Sequence, residues 1–278
     1  MKLLTLNLHS HDRSFDRSVL REHIADLARF LTDEKIDILA LQECSQQKDL
    51  PCAQTVPMRF LNQENEIPLR EENAALLLAQ KLAEQGMKYE WTWTGVKLGY
   101  EVYEEGLALF SRLPIAETEE HWISGIREFA CWKSRKALMI RLKNGLVIFD
   151  VHMGWWNDEE ERFREQMDRL QTLSLKETDV LLMGDFNAPS DVRGEGYDRM
   201  KELGWTDTYD LAEQRDSGIT VPGSIDGWRN GDVSGMRLDY IWTRKKRRVL
   251  SSSVVLNGIK GPAISDHFGV LAVIEDHS

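Results

Sequence analysis

Cysteine is scarce in this chain, at three residues in 278. Cys44, Cys52 and Cys131 form an odd set without a Cys-x-x-Cys pair, which excludes a complete disulfide framework and gives no sign of a zinc site. Long apolar runs are missing too, since no stretch approaches the roughly 20 residues that cross a bilayer. The apolar N-terminal segment is broken by Asn7 and His9 and lacks the long apolar core and small-residue cleavage site of a secretory signal. A reducing, cytoplasmic location is the resulting expectation. Positive charge is in deficit: Lys and Arg total 35 against 46 Asp and Glu, a formal net charge of −11. Nucleic-acid binders usually gain affinity from basic surface, so this balance argues against nucleic acid as the main substrate. Repeats, low-complexity tracts and linkers are also missing, and the chain reads as a single catalytic domain over 1–278.

What is present is ordinary for a soluble globular protein, with 42% hydrophobic and 29% charged residues. Segments 2–8 and 37–44 read as buried strands. Between them, Leu20, Ile24, Leu27 and Leu31 fall on one helical face. Segment 45–72 is polar and carries Pro51, Pro57 and Pro68; a loop of that length tends to carry function. An Ala/Leu-rich helix over 73–85 stops at Gly86. Strands follow at 89–94, 106–111, 135–142 and 146–153, the last two joined by a turn at Asn144-Gly145. Phe163, Met167, Leu170 and Leu173 mark an amphipathic helix, with Asn157 as its expected N-cap. Strands at 179–186, 238–243, 249–256 and 269–274 and a short helix near 197–203 complete the set. Many short strands with few helices, often joined by hairpins, predict two packed sheets flanked by helices.

The informative pattern is where polar residues fall. Asn7, Glu43, His152, Asp185 with Asn187, and Asp239 each lie at or near the end of an apolar strand, and Asp266-His267 precedes the last one. Strand ends hold side chains at fixed geometry. Carboxylates beside a hydrophobic core are costly unless paired or metal-bound, and several converging would repel one another. A divalent cation resolves that repulsion, and these oxygen ligands suit Mg²⁺ or Mn²⁺.

Six motifs carry a resemblance: Asn7 in LTLNLH, Glu43 in LALQE, His152 in FDVHMG, GDFNAPS at 184–190, Leu238-Asp239-Tyr240 and Ser265-Asp266-His267. In this order they resemble the endonuclease/exonuclease/phosphatase family over nearly the whole chain. The resemblance implies a four-layer α/β/β/α sandwich of two mostly antiparallel sheets, with the site at one edge of both. It implies that Glu43 is the main metal ligand, assisted by Asn7 and Asp266. Asp185 resembles the residue that positions or deprotonates the attacking water, while Asn187 and His152 resemble the donors that stabilise the transition state. His267 is similar to the catalytic or phosphate-binding histidine and Asp239 to an orienting carboxylate; Asp185 and His267 both stay open as the base. Glu105 in YEEGLALFSR matches a glutamate that pairs, in relatives, with the histidine corresponding to His152.

Nine tryptophans are many for this length, and indole faces stack on sugars and bases alike. Trp91, Trp93 and Trp242 are expected in the core, while Trp155, Trp156 and Trp228 are candidates for the substrate pocket. The basic run 244–248 is expected to be a solvated turn pointing away from the site. The contexts EEGLALFSR and GPAISDHFGV are similar to bacterial phosphatases of phosphorylated disaccharides, implying a small-molecule phosphate monoester such as maltose 6′-phosphate. A DNA endonuclease or exonuclease and a sphingomyelinase-like phosphodiesterase are the alternatives.

Overall fold

The computed structural model describes residues 1–11, 14–61, 67–223, 225 and 235–275. In chain order these form β1 (Lys2–Asn7), α1 (Arg17–Glu34), β2 (Ile38–Gln42), β3 (Gln46–Gln47), β4 (Arg59–Phe60), α2 (Ala74–Glu84), β5 (Glu90–Gly99) and β6 (Tyr103–Ser111). The chain continues through β7 (Ile115–Trp122), β8 (Lys136–Leu142), β9 (Val147–His152), α3 (Phe163–Ser174), β10 (Val180–Asp185), α4 (Gly196–Glu202), β11 (Thr206–Asp207), α5 (Thr208–Leu211) and β12 (Ala212–Arg215). It closes with β13 (Asp239–Thr243), β14 (Val249–Val255) and β15 (Gly269–Ile274).

One sheet runs β12-β14-β15-β1-β2-β6-β5-β4, with β3 on β6, and the other runs β11-β13-β10-β9-β8-β7. Most pairings are antiparallel; β1–β2, β4–β5, β12–β14 and β9–β10 are parallel. Side chains alternate across a strand with period two, and this alternation sorts the apolar residues into three layers. Leu3, Ile38, Ala40 and Leu109 meet Ile140, Ile148, Leu181 and Ile241 between the sheets. Their sequence neighbours Leu4, Leu39, Leu41 and Phe110 face outward onto α1 and α2 through Ile24, Leu27, Leu78 and Leu82. On the opposite face Phe149, Leu182 and Trp242 pack against Phe163, Met167 and Leu170 of α3 and Met200 of α4. The result is the expected α/β/β/α sandwich, with Trp91, Trp93 and Trp242 in the core.

Some local expectations are corrected. Asn157 is not the N-cap of α3; Arg162 holds that place and makes no side-chain capping bond. Asp158 instead organises the preceding turn, its Oδ1 accepting from the backbone of Glu160 and Glu161 at 2.9 Å each. The 45–72 loop contains the two-residue strands β3 and β4. Strand β7 escapes the apolar pattern because its residues Ala116–Trp122 stay exposed or half-buried at the edge of the second sheet, so no core selects an alternating sequence there.

The mixed topology positions the functional edge. Parallel pairing puts the C-terminal ends of β1 and β2 side by side, with Asn7 opposite Gln42, and those of β9 and β10, with Asp185 opposite His152. The antiparallel neighbours then begin where these strands end: Asp239 opens β13 opposite Asp185, and His267 lies just before β15, which runs against β1. Gly184 makes the β9–β10 contact possible. Its φ is +145°, and a Cβ there would lie 1.9 Å from the Val151 carbonyl oxygen.

Candidate active site at the shared sheet edge

Asn7 joins the two sheets. Its Nδ2 donates to Glu43 Oε1 at 2.9 Å and to Asp185 Oδ2 at 3.1 Å, and its Oδ1 accepts from the His9 backbone at 3.1 Å. Glu43 also meets His9 Nδ1 through Oε2 at 2.9 Å. Burial pushes the Glu43 carboxyl upward, but the His9 bond and the positive fields of His152, His9 and Lys97 win, holding it well below the ordinary carboxylate value. His9 (φ 42°), Glu43 (φ 47°) and Asn187 (φ 46°) all adopt left-handed backbone. Such strain in non-glycine residues gathers at functional sites.

His152 stands between the carboxylates. Its Nε2 is 3.7 Å from Asp185 Oδ2 and 4.0 Å from Glu43 Oε1, while Nδ1 is 3.7 Å from Glu105 Oε1. Glu105 pairs more closely with Lys97 Nζ, at 3.0 Å. Burial raises the Glu105 carboxyl, but Lys97 and His152 together outweigh it, holding the group below the ordinary carboxylate value. Buried Arg135 completes this wall. Desolvation lowers its guanidinium, and the negative fields of Glu105, Glu43 and Asp185 oppose that.

Asp185 is buried, with Oδ1 accepting from the Asn187 backbone at 2.8 Å. Desolvation and then Asp239 raise its carboxyl above the ordinary value. Asn187 donates through Nδ2 to the Met153 carbonyl at 3.0 Å, fixing the plane of its amide. His267 Nδ1 is 2.9 Å from Asp239 Oδ2, and Nε2 is 3.9 Å from Asp185 Oδ2. Desolvation opposes the imidazolium, yet Asp239 and Asp185 raise His267 to about 10. Ser265 ties this corner to the first sheet by donating to the Asn7 carbonyl at 2.7 Å. It also meets Asp266 Oδ1 at 3.3 Å.

Two groups of residues suit a cation. Asp185, Asp239 and His267 offer atoms within 4.8 Å of one another, but a protonated His267 already offsets one of the trio's two negative charges and cannot ligate through a protonated nitrogen. Glu43, Asn7 and Asp266 offer hard oxygens instead. The carboxylates of Glu43, Glu105, Asp185, Asp239 and Asp266 outnumber the neighbouring cations Lys97, Arg135 and His267. Asp239 Oδ1, buried with no hydrogen-bond partner among the described residues, adds to the unmet negative potential. The residues present fit an oxygen-bound Mg²⁺ or Mn²⁺.

Of the tryptophans, Trp155 sits beside Arg135, whose guanidinium carbon is 5.9 Å from its ring. Trp156 turns to α3, 6.0 Å from Phe163 and beneath Arg164. Trp228 lies outside the described residues. His9, Lys97 and Arg135 were not legible as site residues in the sequence. His9 stood inside LTLNLH, two residues after Asn7; nothing local marked Lys97 or Arg135.

The family model described as Endonuclease/Exonuclease/phosphatase family matches residues 4–267. No curated protein matches this chain. Among solved structures, a family protein from Leptotrichia buccalis C-1013-b is 29% identical, with TM-score 0.85 over 99% of this chain and 100% of that one. A mannosyl-6-phosphatase of Bacteroides thetaiotaomicron VPI-5482 shares the fold at 17% identity and TM-score 0.66, covering 99% and 100%. A 3'-5' exonuclease from Neisseria meningitidis does so at 18% identity and TM-score 0.63, also covering 99% and 100%. The motifs at the shared edge, the two-sheet sandwich and the match over 4–267 lead to one conclusion: the chain belongs to the Endonuclease/Exonuclease/phosphatase family, whose members are divalent-metal-dependent hydrolases of phosphate esters.

Proposed function

We propose that this protein, acting as a single catalytic domain, hydrolyses a small-molecule phosphate monoester, a sugar phosphate such as maltose 6′-phosphate, by in-line attack of water. The observation that carries the choice of a small substrate is the fate of positive charge. Net charge is −11, and in the basic run 244–248 Lys245 and Arg247 pair with Asp179, while Arg248 pairs with Glu213 and Glu275. Cations so engaged have little left for a polyphosphate backbone. The similarity to a mannosyl-6-phosphatase supports the same reading. The three cysteines are all free, which suits a reducing, cytoplasmic setting.

In this mechanism Glu43, Asn7 and Asp266 hold Mg²⁺ (or Mn²⁺). When bound, the ion supplies neutralising charge to a non-bridging phosphate oxygen and to the leaving oxygen. Asp185 receives a proton from the attacking water at Oδ2. Its raised affinity for protons makes it a better base than an ordinary carboxylate, and the Asn187 backbone holds its other oxygen still. His267 is kept cationic by Asp239 and donates from Nε2 to a phosphate oxygen. His152 and the Asn187 amide hydrogen-bond the remaining equatorial oxygens as charge develops. Glu105, paired with Lys97, faces His152 Nδ1 from behind at 3.7 Å.

Phosphate release with Mg²⁺ from a panel of sugar phosphates, nucleotides and bis-esters, beside plasmid DNA, tests the proposal. Sugar monoesters are expected to lead. Preference for bis-esters points to a phosphodiesterase, and nicking or end-digestion of DNA that disappears in Glu43→Ala points to the nuclease activity named for the Neisseria relative. Either result overturns the monoester reading.

A further inference from the structure

We propose that Trp132, with Trp155 beside it, forms a stacking platform for the sugar ring of the leaving group, a subsite built on the loop between β7 and β8. This inference rests on the sugar-phosphate reading and deepens it. Trp132 is 52% exposed, a large apolar surface left in water. Its ring lies 5.8 Å from that of Trp155 at an angle of 58°. Trp155 follows His152 by three residues and carries the Arg135 guanidinium 5.9 Å from its ring. Arg135 in turn donates to the Trp132 carbonyl at 2.8 Å. The backbone that carries the exposed indole is therefore bonded to the same buried cation that feels the negative fields of Glu105, Glu43 and Asp185.

The loop that presents Trp132 is held rigidly. Buried Glu161 accepts from the Gly125 backbone at 3.0 Å, and Phe129 accepts through its carbonyl from Leu98 at 2.7 Å. Lys133 pairs with Asp158 and Glu160 at 2.9 Å each and lies 5.3 Å over the Trp132 ring. An indole fixed in this way presents a surface without the entropy cost of ordering a mobile one. The same wall contains two buried donors, Arg135 Nε and Trp155 Nε1, that find no acceptor among the described residues. Such groups are costly to leave unpaired, and hydroxyl oxygens or the water around a sugar are suitable acceptors.

The angle between the indoles favours a sugar over a base. A flat base gains most from parallel aromatic faces, whereas the puckered C–H face of a pyranose lies on one indole and meets a second side-on.

The test compares wild type, Trp132→Ala and Trp132→Phe on glucose 6-phosphate, glycerol 1-phosphate and a 5′-mononucleotide with Mg²⁺. Trp132→Ala is expected to lower kcat/KM for glucose 6-phosphate relative to glycerol 1-phosphate by about tenfold or more, chiefly through KM. Trp132→Phe is expected to recover most of that loss. Equal losses on both substrates, or none, overturn the platform; a loss confined to the mononucleotide overturns the choice of a sugar. If wild type releases phosphate from no monoester, the reaction reading fails instead. The platform is then judged by saturation-transfer NMR with methyl glucoside: ring-proton signals that vanish in Trp132→Ala support it, and their absence from wild type overturns it.

Discussion

His267 Nδ1 and Asp239 Oδ2 lie 2.9 Å apart although 28 residues separate them in the chain. The contact exists because β13 begins, and the turn before β15 ends, at the same edge. It keeps the imidazole charged, with a pKa of about 10, and leaves Nε2 toward Asp185. A folded-state pKa raised above about 6.5 means stabilisation that is complete below pH 6.5 and lost as pH rises through about 10. In EDTA, wild-type stability is expected to fall across that window. Urea unfolding of Asp239→Asn should show a flatter profile, and identical slopes would refute the coupling.

Turnover should depend on both ends of this relay. Asp185→Ala and His267→Ala are each expected to lower kcat by at least about 10²-fold, the scale of a lost acid–base or electrostatic group. Steady-state rates near wild type in both variants would overturn the assignment of the site.

Chelation is expected to abolish activity, and Mg²⁺ or Mn²⁺ to restore it. Glu43→Gln keeps the side chain's shape but removes charge, so its activation should require at least about tenfold more Mg²⁺. A metal titration of rate reads this directly. Full activity in excess EDTA would sink the metal mechanism.

Asp150 is buried between the sheets, with Oδ1 accepting from Gln42 Nε2 at 2.5 Å and no hydrogen-bond partner for Oδ2 among the described residues. Desolvation, greater than the help from Gln42, pushes its carboxyl well above the usual value. The folded state then binds a proton that the unfolded chain releases near pH 3.9, so stability declines as pH rises from there toward the folded value. Asp150→Asn removes that loss. It should be more stable than wild type at pH 8 by at least about 1.4 kcal/mol, the free energy of a tenfold change in proton affinity, with the gap closing near pH 4. Parallel denaturant curves at the two pH values decide it.

Gly184→Ala forces a Cβ against the Val151 carbonyl at a φ of +145°. A loss of about 3 kcal/mol or more is expected, together with reduced turnover, because the strand contact that sets Asp185 beside His152 must open. A melting temperature equal to wild type would contradict the packing described.

Local sequence carried much of this protein's plan. Leu3-Leu4 and Ile38-Leu39-Ala40-Leu41 alternate between an inter-sheet face and a helix-covered face, and that period of two is written in the residues themselves. So are the polar interruptions Asn7, Glu43, His152 and Asp185, since an apolar strand that ends in a carboxylate or imidazole must place it at an edge. Tertiary structure alone decided what each edge residue meets. His9 on Glu43 and Arg135 against Trp155 are contacts between separate segments, and the local periodicity of each segment carries no trace of its partner. Trp155 and Trp156 make the point most sharply: adjacent and alike in sequence, one stands beside Arg135 and the other packs on Phe163. What separates them is the neighbour each finds, Trp132 and Arg135 for one and α3 for the other.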